Sequence, residues 1–322
     1  MSQEKSIKKK TRADLPAKPF LKWAGGKGQL LDTFQNFYPA ELRAGEIENY
    51  YEPFVGGGAV FFDIAQRFKI GSAFLYDNNQ DLILTYLTIQ KNVDGLIDCM
   101  ERYKNQYLKR DEIKRTEFYY KIREKFNALQ PEINYNRFSK KWIERAAQII
   151  FLNRTCFNGL FRFNSKGEFN VPEGRYKNPR ILNEENLRKV SELLAIAEIK
   201  RVDFRELQKK VKGRSFIYYD PPYRPLNQTS SFTAYSRETF GDPEQKALAA
   251  LFLELNKKGA LQMLSNSDPK NHNPEDNFFD DLYQGFPIVR VPARRNINSN
   301  AAKRTPINEI IVTNYPVEKP KL

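Results

Sequence analysis

The sequence predicts an α/β protein: an open, Rossmann-like sheet of mainly parallel strands, interrupted by a helical, basic insert. Three observations carry this. A strand, glycine turn and helix follow one another at residues 49–68, where Asn49-Tyr50-Tyr51-Glu52 leads through Pro53-Phe54-Val55-Gly56-Gly57-Gly58 into an apolar run. Two further apolar strands end in an acid, Asp77 and Asp220, at the edge where such sheets hold ligands. Between them, from about residue 84 to residue 199, the alternation of strand and helix stops and helical periodicity takes over. With 322 residues the chain has room for about two domains and a sizeable core.

Composition narrows the function. A net charge of +14 suits a polyanionic partner, most simply nucleic acid, although a basic surface also occurs without one. Aromatic residues make up 13% of the chain, and many stand beside Arg or Lys, which adds base stacking to phosphate contact. Cys99 and Cys156 belong to no closely spaced Cys/His set, so neither a disulfide framework nor a metal centre is expected. His272, the single histidine, lies in the polar run 268–276, which argues against Ser-His-Asp and Cys-His mechanisms. No apolar run is long enough to span a membrane, and the polar N-terminus lacks a signal-peptide core; a reducing cytoplasm is expected.

The elements follow in order. Residues 1–17, with Lys8-Lys9-Lys10, read as a disordered basic arm, either a solvated tail or a phosphate contact. In the segment from Pro19 to Lys27, Gly25 and Gly26 let the backbone approach a ligand, and Lys27 precedes a helix expected from about Gln29. The spacing and the missing Ser/Thr exclude a Walker A loop. Trp23 is either a core residue or a cofactor contact. The glycine turn at 56–58 lets a nucleotide-like ligand lie against it, but it departs from G-x-G-x-x-G and is weak support for a nicotinamide dinucleotide. Its helix runs over 59–68. Asp77, closing the strand 73–77, either holds ribose hydroxyls or caps a helix from about Gln80.

Residues 91–128 read as helical, and 142–153 as a helix with Ile143, Ala146, Ala147 and Ile150 on one face. The stretch 157–172 reads as a β-hairpin turning at Asn164-Ser165-Lys166-Gly167. Arg154, Arg162, Lys166, Arg175, Lys177 and Arg180 make this region basic, so the hairpin suits a nucleic-acid groove; its aromatics equally suit packing on the insert's helices. Sheet-like order resumes at 197–199 and 203–204. The run Ser215-Phe216-Ile217-Tyr218-Tyr219 is a buried strand, and Asp220-Pro221-Pro222-Tyr223 follows it. Two prolines without N–H groups end the strand sharply. Carboxylate, proline carbonyl and ring are then presented together, which suits a planar amine; the plain alternative is a rigid connection. Residues 226–240, with Phe232 and Tyr235, form a loop long enough for a lid. Asp242-Pro243 opens a helix that Gly259 closes. Strands are expected at 261–265, 287–291 and 309–314, the last two antiparallel, with a basic polar loop at 294–300 between them.

In this order the signals closely resemble the Dam family of DNA adenine-N6 methyltransferases of the α class, also called the D12 type. The likeness runs from Phe20 to Asn314 and is most specific in Phe-Leu-Lys-Trp-Ala-Gly-Gly-Lys at 20–27, Phe-Asn-Gly-Leu at 157–160, Gly-Glu-Phe-Asn-Val-Pro at 167–172 and Asp-Pro-Pro-Tyr at 220–223. The resemblance implies a doubly wound methyltransferase sheet with an antiparallel last strand. It also implies a catalytic domain from 18–84 and 195–316, and a helical target-recognition domain with a β-hairpin at 85–194. It implies an S-adenosylmethionine site from Trp23, Lys27, Glu52, Phe54, Gly56, Asp77, Asp203, Phe204 and Asp220, with Asp77 on the ribose and Asp203 on the cofactor's adenine. Asp220 and the Pro221 carbonyl would accept the hydrogens of a flipped adenine amine, Pro222 would stiffen the turn, and Tyr223 would stack on the base. No metal is needed.

The implied partner is double-stranded DNA, with a cognate restriction endonuclease where the enzyme belongs to a protective pair; the implied place is the cytoplasm, at the nucleoid. The implied target is GATC. The first guanine would be read from Lys22 and Tyr176, the thymine from Leu160 and Pro172, and the guanine opposite the last cytosine from Arg162. Phe157, where the family often has Tyr, would wedge into the space the adenine leaves, Asn158 would bond the orphaned thymine, and Arg175 belongs to the same basic surface. A relative reading a longer GAT-containing site shares much of this set, and Arg162 carries the distinction. RNA and protein-glutamine methyltransferases use a similar proline turn but lack the 20–27 segment and the insert. A non-catalytic nucleic-acid binding module is the remaining rival, against which the intact cofactor residues argue.

Overall fold

The computed structural model describes residues 16–23, 25–224, 240–293 and 307–317. The expected loops at 226–239 and 294–300, and the arm up to residue 15, lie outside the described residues. Ala17, expected in a disordered arm, is buried instead: its N–H donates to the Gln66 side chain, which donates back to the Ala17 carbonyl.

The strands among the described residues are seven: β1 Asn49–Glu52, β2 Ser72–Asp77, β3 Ala197–Arg201, β4 Ser215–Tyr219, β5 Leu261–Ser267, β6 Ile288–Ala293 and β7 Ile307–Thr313. They form one sheet in the order β3-β2-β1-β4-β5-β7-β6. Pairs from β3 to β5 are parallel, and β7 runs antiparallel to both β5 and β6, as expected from the resemblance. The chain builds outward from β1 to β2 and β3, then returns to place β4 on the other flank of β1. That reversal between β1 and β4 is the switch point where open α/β sheets hold ligands.

The helices are α1 Leu31–Phe34, α2 Ala40–Arg43, α3 Ala59–Arg67, α4 Gln80–Leu108, α5 Glu112–Leu129, α6 Lys140–Thr155, α7 Glu184–Leu193, α8 Leu207–Lys210, α9 Asp242–Lys257 and α10 Phe278–Leu282. Side chains of β4 alternate between the two sheet faces. Phe216 and Tyr218 join the core that holds α3, while Ile217 and Tyr219 join the one built on α9. The first core is continuous with the insert, running through Leu96 and Met100 of α4, Phe118 of α5 and Phe151 of α6.

Four expectations are corrected. The helix expected over 91–128 is two: α4 reaches back to Gln80, and α5 starts afresh with Asp111 as its cap, accepting the Lys114 N–H at 2.9 Å. Within α4 the backbone departs from helical geometry at Asn92, whose side chain accepts the Gly95 N–H. The hairpin at 157–172 is reduced to the isolated bridges Phe163–Phe169 and Cys156–Glu173. Part of its backbone is spent on α5: Asn127 exchanges bonds with Phe169, and the Tyr119 hydroxyl donates to the Val171 carbonyl. Residues 203–204 open a 3₁₀ turn rather than a strand, with the Asp203 carboxylate accepting the Arg205 N–H. Asp242 does not cap α9; Gly241 stands at the cap and donates to Glu244, while Asp242 pairs with Arg224.

Candidate active site

The site is assembled at the carboxyl ends of β1, β2 and β4, with one residue from β7. β4 is buried throughout and ends at Tyr219, so Asp220 emerges at the sheet edge with a side chain 21% exposed. Its Oδ1 accepts a hydrogen bond from Lys27 Nζ at 2.6 Å. Lys27 is 2% exposed, on a 3₁₀ turn that follows Gly25 and Gly26, and it also donates to the Gly25 carbonyl at 3.1 Å and lies 3.2 Å from the Tyr223 hydroxyl. Its ammonium stands 4.9 Å from the Tyr223 ring centroid, close enough for a cation–π contact. The Tyr223 hydroxyl donates to Glu309 Oε1 at 2.8 Å, and Glu309 Oε2 is 3.5 Å from Lys27 Nζ.

Burial shifts this group. Loss of water pulls the Lys27 ammonium down, but Asp220, Tyr223 and Glu309 outweigh that and hold it above the ordinary lysine range. Burial pushes Asp220 up to about 6 against the opposing pull of Lys27, with Glu309 adding to the rise. Glu52, wholly buried beside Tyr50, whose hydroxyl donates to it at 2.7 Å, is pushed by burial to about 8 and keeps its proton at neutral pH.

The other expected cofactor residues line the same edge. Asp77 Oδ2 accepts the Gly56 N–H at 3.1 Å and Oδ1 accepts the Asn79 N–H at 2.9 Å; burial pushes this carboxyl to about 6 against those bonds. The cap of α4 is Asn79, so Asp77 is left at the strand end rather than spent on the helix. Gly56 is required: its φ is +45°, and a Cβ there would stand 2.8 Å from Trp23 Cδ1. Trp23 thus both packs on the turn and edges the site. Phe54 and Phe204 face each other at 5.5 Å between centroids. Asp203 lies beside them, its carboxylate held by Arg205 at 3.1 Å.

A second cluster carries the expected DNA contacts. Lys22 Nζ lies 4.9 Å from the Tyr176 ring, and the Tyr176 hydroxyl accepts the Asn158 N–H at 3.0 Å. The Asn153 side chain accepts the Lys22 N–H and donates to the carbonyls of Lys22 and Gly159, tying the 20–27 segment to the turn at 157–160. Phe157 is half exposed and Leu160 partly buried, while Asn158, Arg162, Pro172 and Arg175 are exposed. Asn158 and Arg175 sit at φ of +54° and +51°, in the left-handed region. Arg162 Nε donates to the Asn170 side chain at 3.0 Å. Glu309 is the site residue that sequence reasoning missed: it read only as part of a final strand, and its partners are far away in sequence.

Among known proteins, the family described as D12 class N6 adenine-specific DNA methyltransferase has a model that matches residues 23–297. A type II methyltransferase, M.MjaIII, of Methanocaldococcus jannaschii is 47% identical over 94% of this chain and all of its own length. M1.LlaDCHI of Lactococcus lactis subsp. cremoris is 37% identical over 92% of this chain and 95% of its own length. A DNA adenine methylase of Haemophilus influenzae is 36% identical over 94% of this chain and 96% of its own length.

Proposed function

The chain belongs to the D12 class N6 adenine-specific DNA methyltransferases, and from that premise we propose that it methylates adenine N6 in double-stranded GATC with S-adenosylmethionine as donor. The observation that carries this is Asp220, set at the sheet's switch point with Lys27, Tyr223 and the glycine turn around it.

The site's chemistry fits the donor. A partly buried carboxylate at a strand end, fixed by two N–H groups, suits hydroxyl donors, which supports reading Asp77 as the ribose ligand. Phe54, partly buried, offers an apolar surface to a purine, backed by the buried Phe204 and packed against Phe240, with Asp203 as the acceptor of its amine once Arg205 gives way. When bound, S-adenosylmethionine supplies an electrophilic methyl group on a sulfonium. The chain does the rest by positioning and charge. Asp220 and the Pro221 carbonyl accept the two N6 hydrogens of a flipped adenine and favour a pyramidal nitrogen with its lone pair available. Tyr223, about two-fifths exposed, stacks on the base. On transfer of that methyl group to the nitrogen, with the donor departing as a neutral thioether, one N6 proton would be lost, with Asp220 as the nearest base. Calorimetric titration with S-adenosylmethionine tests the cofactor assignment, and a protein that takes up none contradicts it.

The GATC assignment rests on the resemblance, on the relatives named adenine methylases and on the clustering of Lys22, Asn158 and Tyr176. Arg162, exposed on the recognition segment, is the residue for the last base pair. Arg162→Ala should lose about 1–3 kcal/mol of discrimination there and little elsewhere. Turnover on duplexes substituted singly at each position measures this; uniform loss across positions would assign Arg162 to the phosphates instead. DNA affinity should also fall steeply with salt, given the net charge of +14. A binding constant flat between low and moderate salt would contradict a phosphate-dominated interface.

A further inference from the structure

Glu309 reaches the site from β7, where it pairs with Ser267 of β5 and Val291 of β6, and it is 4% exposed. Its two oxygens are used unequally. Oε1 accepts the Tyr223 hydroxyl, whereas Oε2 is buried and, among the described residues, has no hydrogen bond, lying 3.5 Å from Lys27 Nζ. A buried carboxylate oxygen without a donor is costly, and the nearby ammonium stands just beyond bonding range. Lys27 Nζ is bonded instead to Asp220 Oδ1 at 2.6 Å. If Asp220 is to accept the hydrogens of the target amine, that ammonium sits on the wrong carboxylate: it shares the oxygen and neutralises the charge that makes it a strong acceptor.

We propose that Glu309 is a positioning residue which draws Lys27 off Asp220 when the target amine arrives, freeing Asp220 Oδ1 for the base and holding the Tyr223 ring by its hydroxyl; this rests on the reading of Asp220 given above. The geometry makes Lys27 the moving partner. Glu309 is anchored between two neighbouring strands, while the ammonium ends a flexible four-carbon stem. A sub-ångström shift toward Oε2 completes a hydrogen bond there, keeps the lysine charge paired, and leaves the bond from Tyr223 to Glu309 intact. One ammonium serves two carboxylates, so the exchange moves the unpaired negative charge from Glu309 to Asp220, where the N–H groups of the target amine meet it.

Glu309→Gln keeps the shape and the acceptor for Tyr223 but removes the charge that attracts Lys27. It should lower kcat by roughly 10²-fold, the scale of a misplaced reacting group, with cofactor and DNA affinities little changed. The groups facing Asp220 are Lys27 from its turn, Glu309 from β7, Glu52 from β1, Tyr218 from β4 and Tyr223 on its own turn. Glu309 raises Asp220 and Lys27 lowers it, so the acid limb of the kcat/KM–pH profile should move to lower pH in this variant. Glu309→Asp, which keeps the charge, should recover much of the lost rate. In a Lys27→Met background Glu309→Gln should add little, because the ammonium it draws away from Asp220 is gone. Wild-type kcat with an unmoved acid limb in E309Q, equal loss in E309D and E309Q, or additive losses with K27M would each overturn the inference. Transfer by the wild-type protein is the control: without it the reading of Asp220 and this inference fall together, and with it only the inference is at stake.

Discussion

Asp220→Ala is expected to lower methyl transfer by roughly 10²–10³-fold, the loss typical of a group aimed at developing charge, while the protein stays folded. The strand before it is held by its own ladder and by burial of all five residues, and the Asp220 side chain joins neither. Folding raises this carboxyl to about 6, above its ordinary value of 3.8, so its ionised form costs the folded state. That cost grows as pH rises from the ordinary carboxylate range through about 6 and is constant above it. Removing the carboxylate therefore removes a penalty, and Lys27 retains Glu309 as a partner. The same value sets the pH dependence of the wild-type enzyme: the acceptor is the carboxylate, so kcat/KM should fall as pH drops through about 6. Single-turnover transfer of a labelled methyl group, with a thermal melt alongside, measures both. Wild-type turnover in the variant would contradict the mechanism.

Arg145→Met is expected to cost about 3–5 kcal/mol of stability, the usual consequence of stranding one member of a buried ion pair. Arg145 is fully buried, and its Nε and Nη2 donate to the two oxygens of Asp81 at 2.9 and 2.8 Å. Its guanidinium also lies 3.5 Å from the Phe126 ring centroid and donates to the Phe126 carbonyl. Tyr135 adds a third bond to Asp81 at 2.8 Å. One cluster thus ties the first turn of α4, just beyond Asp77, to α5 and α6. Because α6 ends at Thr155, directly before the Phe157 segment, the variant should also weaken DNA binding more than cofactor binding. Denaturant unfolding gives the stability loss, and a change below about 1 kcal/mol, the level of an exposed pair, would show the pair to be dispensable. The double variant Asp81→Leu/Arg145→Met should be less unstable than Arg145→Met alone, since no charge is stranded.

The sheet was legible because its signals are local. Apolar strands at 49–52, 72–77 and 215–219 carry their own pattern, and the glycines at 56–58 and the prolines at 221–222 mark where each strand must turn. The strand-end positions of Asp77 and Asp220 were legible for the same reason: Asp77 closes β2 and Asp220 follows directly on β4. Glu309 and the Asp81–Arg145 pair were not. Asp81 lies 64 residues from Arg145, and at its own position it resembles an ordinary first-turn helix acid. Glu309 sits in a strand of mixed pattern, and only the placement of β7 beside β5 turns it toward Lys27. The hairpin at 157–172 was overread because alternation in sequence says nothing of competing partners such as Asn127 and Tyr119 on α5. The single helix expected over 91–128 failed at Asp111, whose capping role was there to be read.

The central claim is adenine N6 methylation confined to GATC, and mapping modified bases across the genome of a host without other adenine methyltransferases tests it most directly. With this chain expressed, N6-methyladenine should appear at GATC on both strands and disappear with Asp220→Ala. Modified adenine concentrated at any other motif, or no modified adenine at all, would contradict the account.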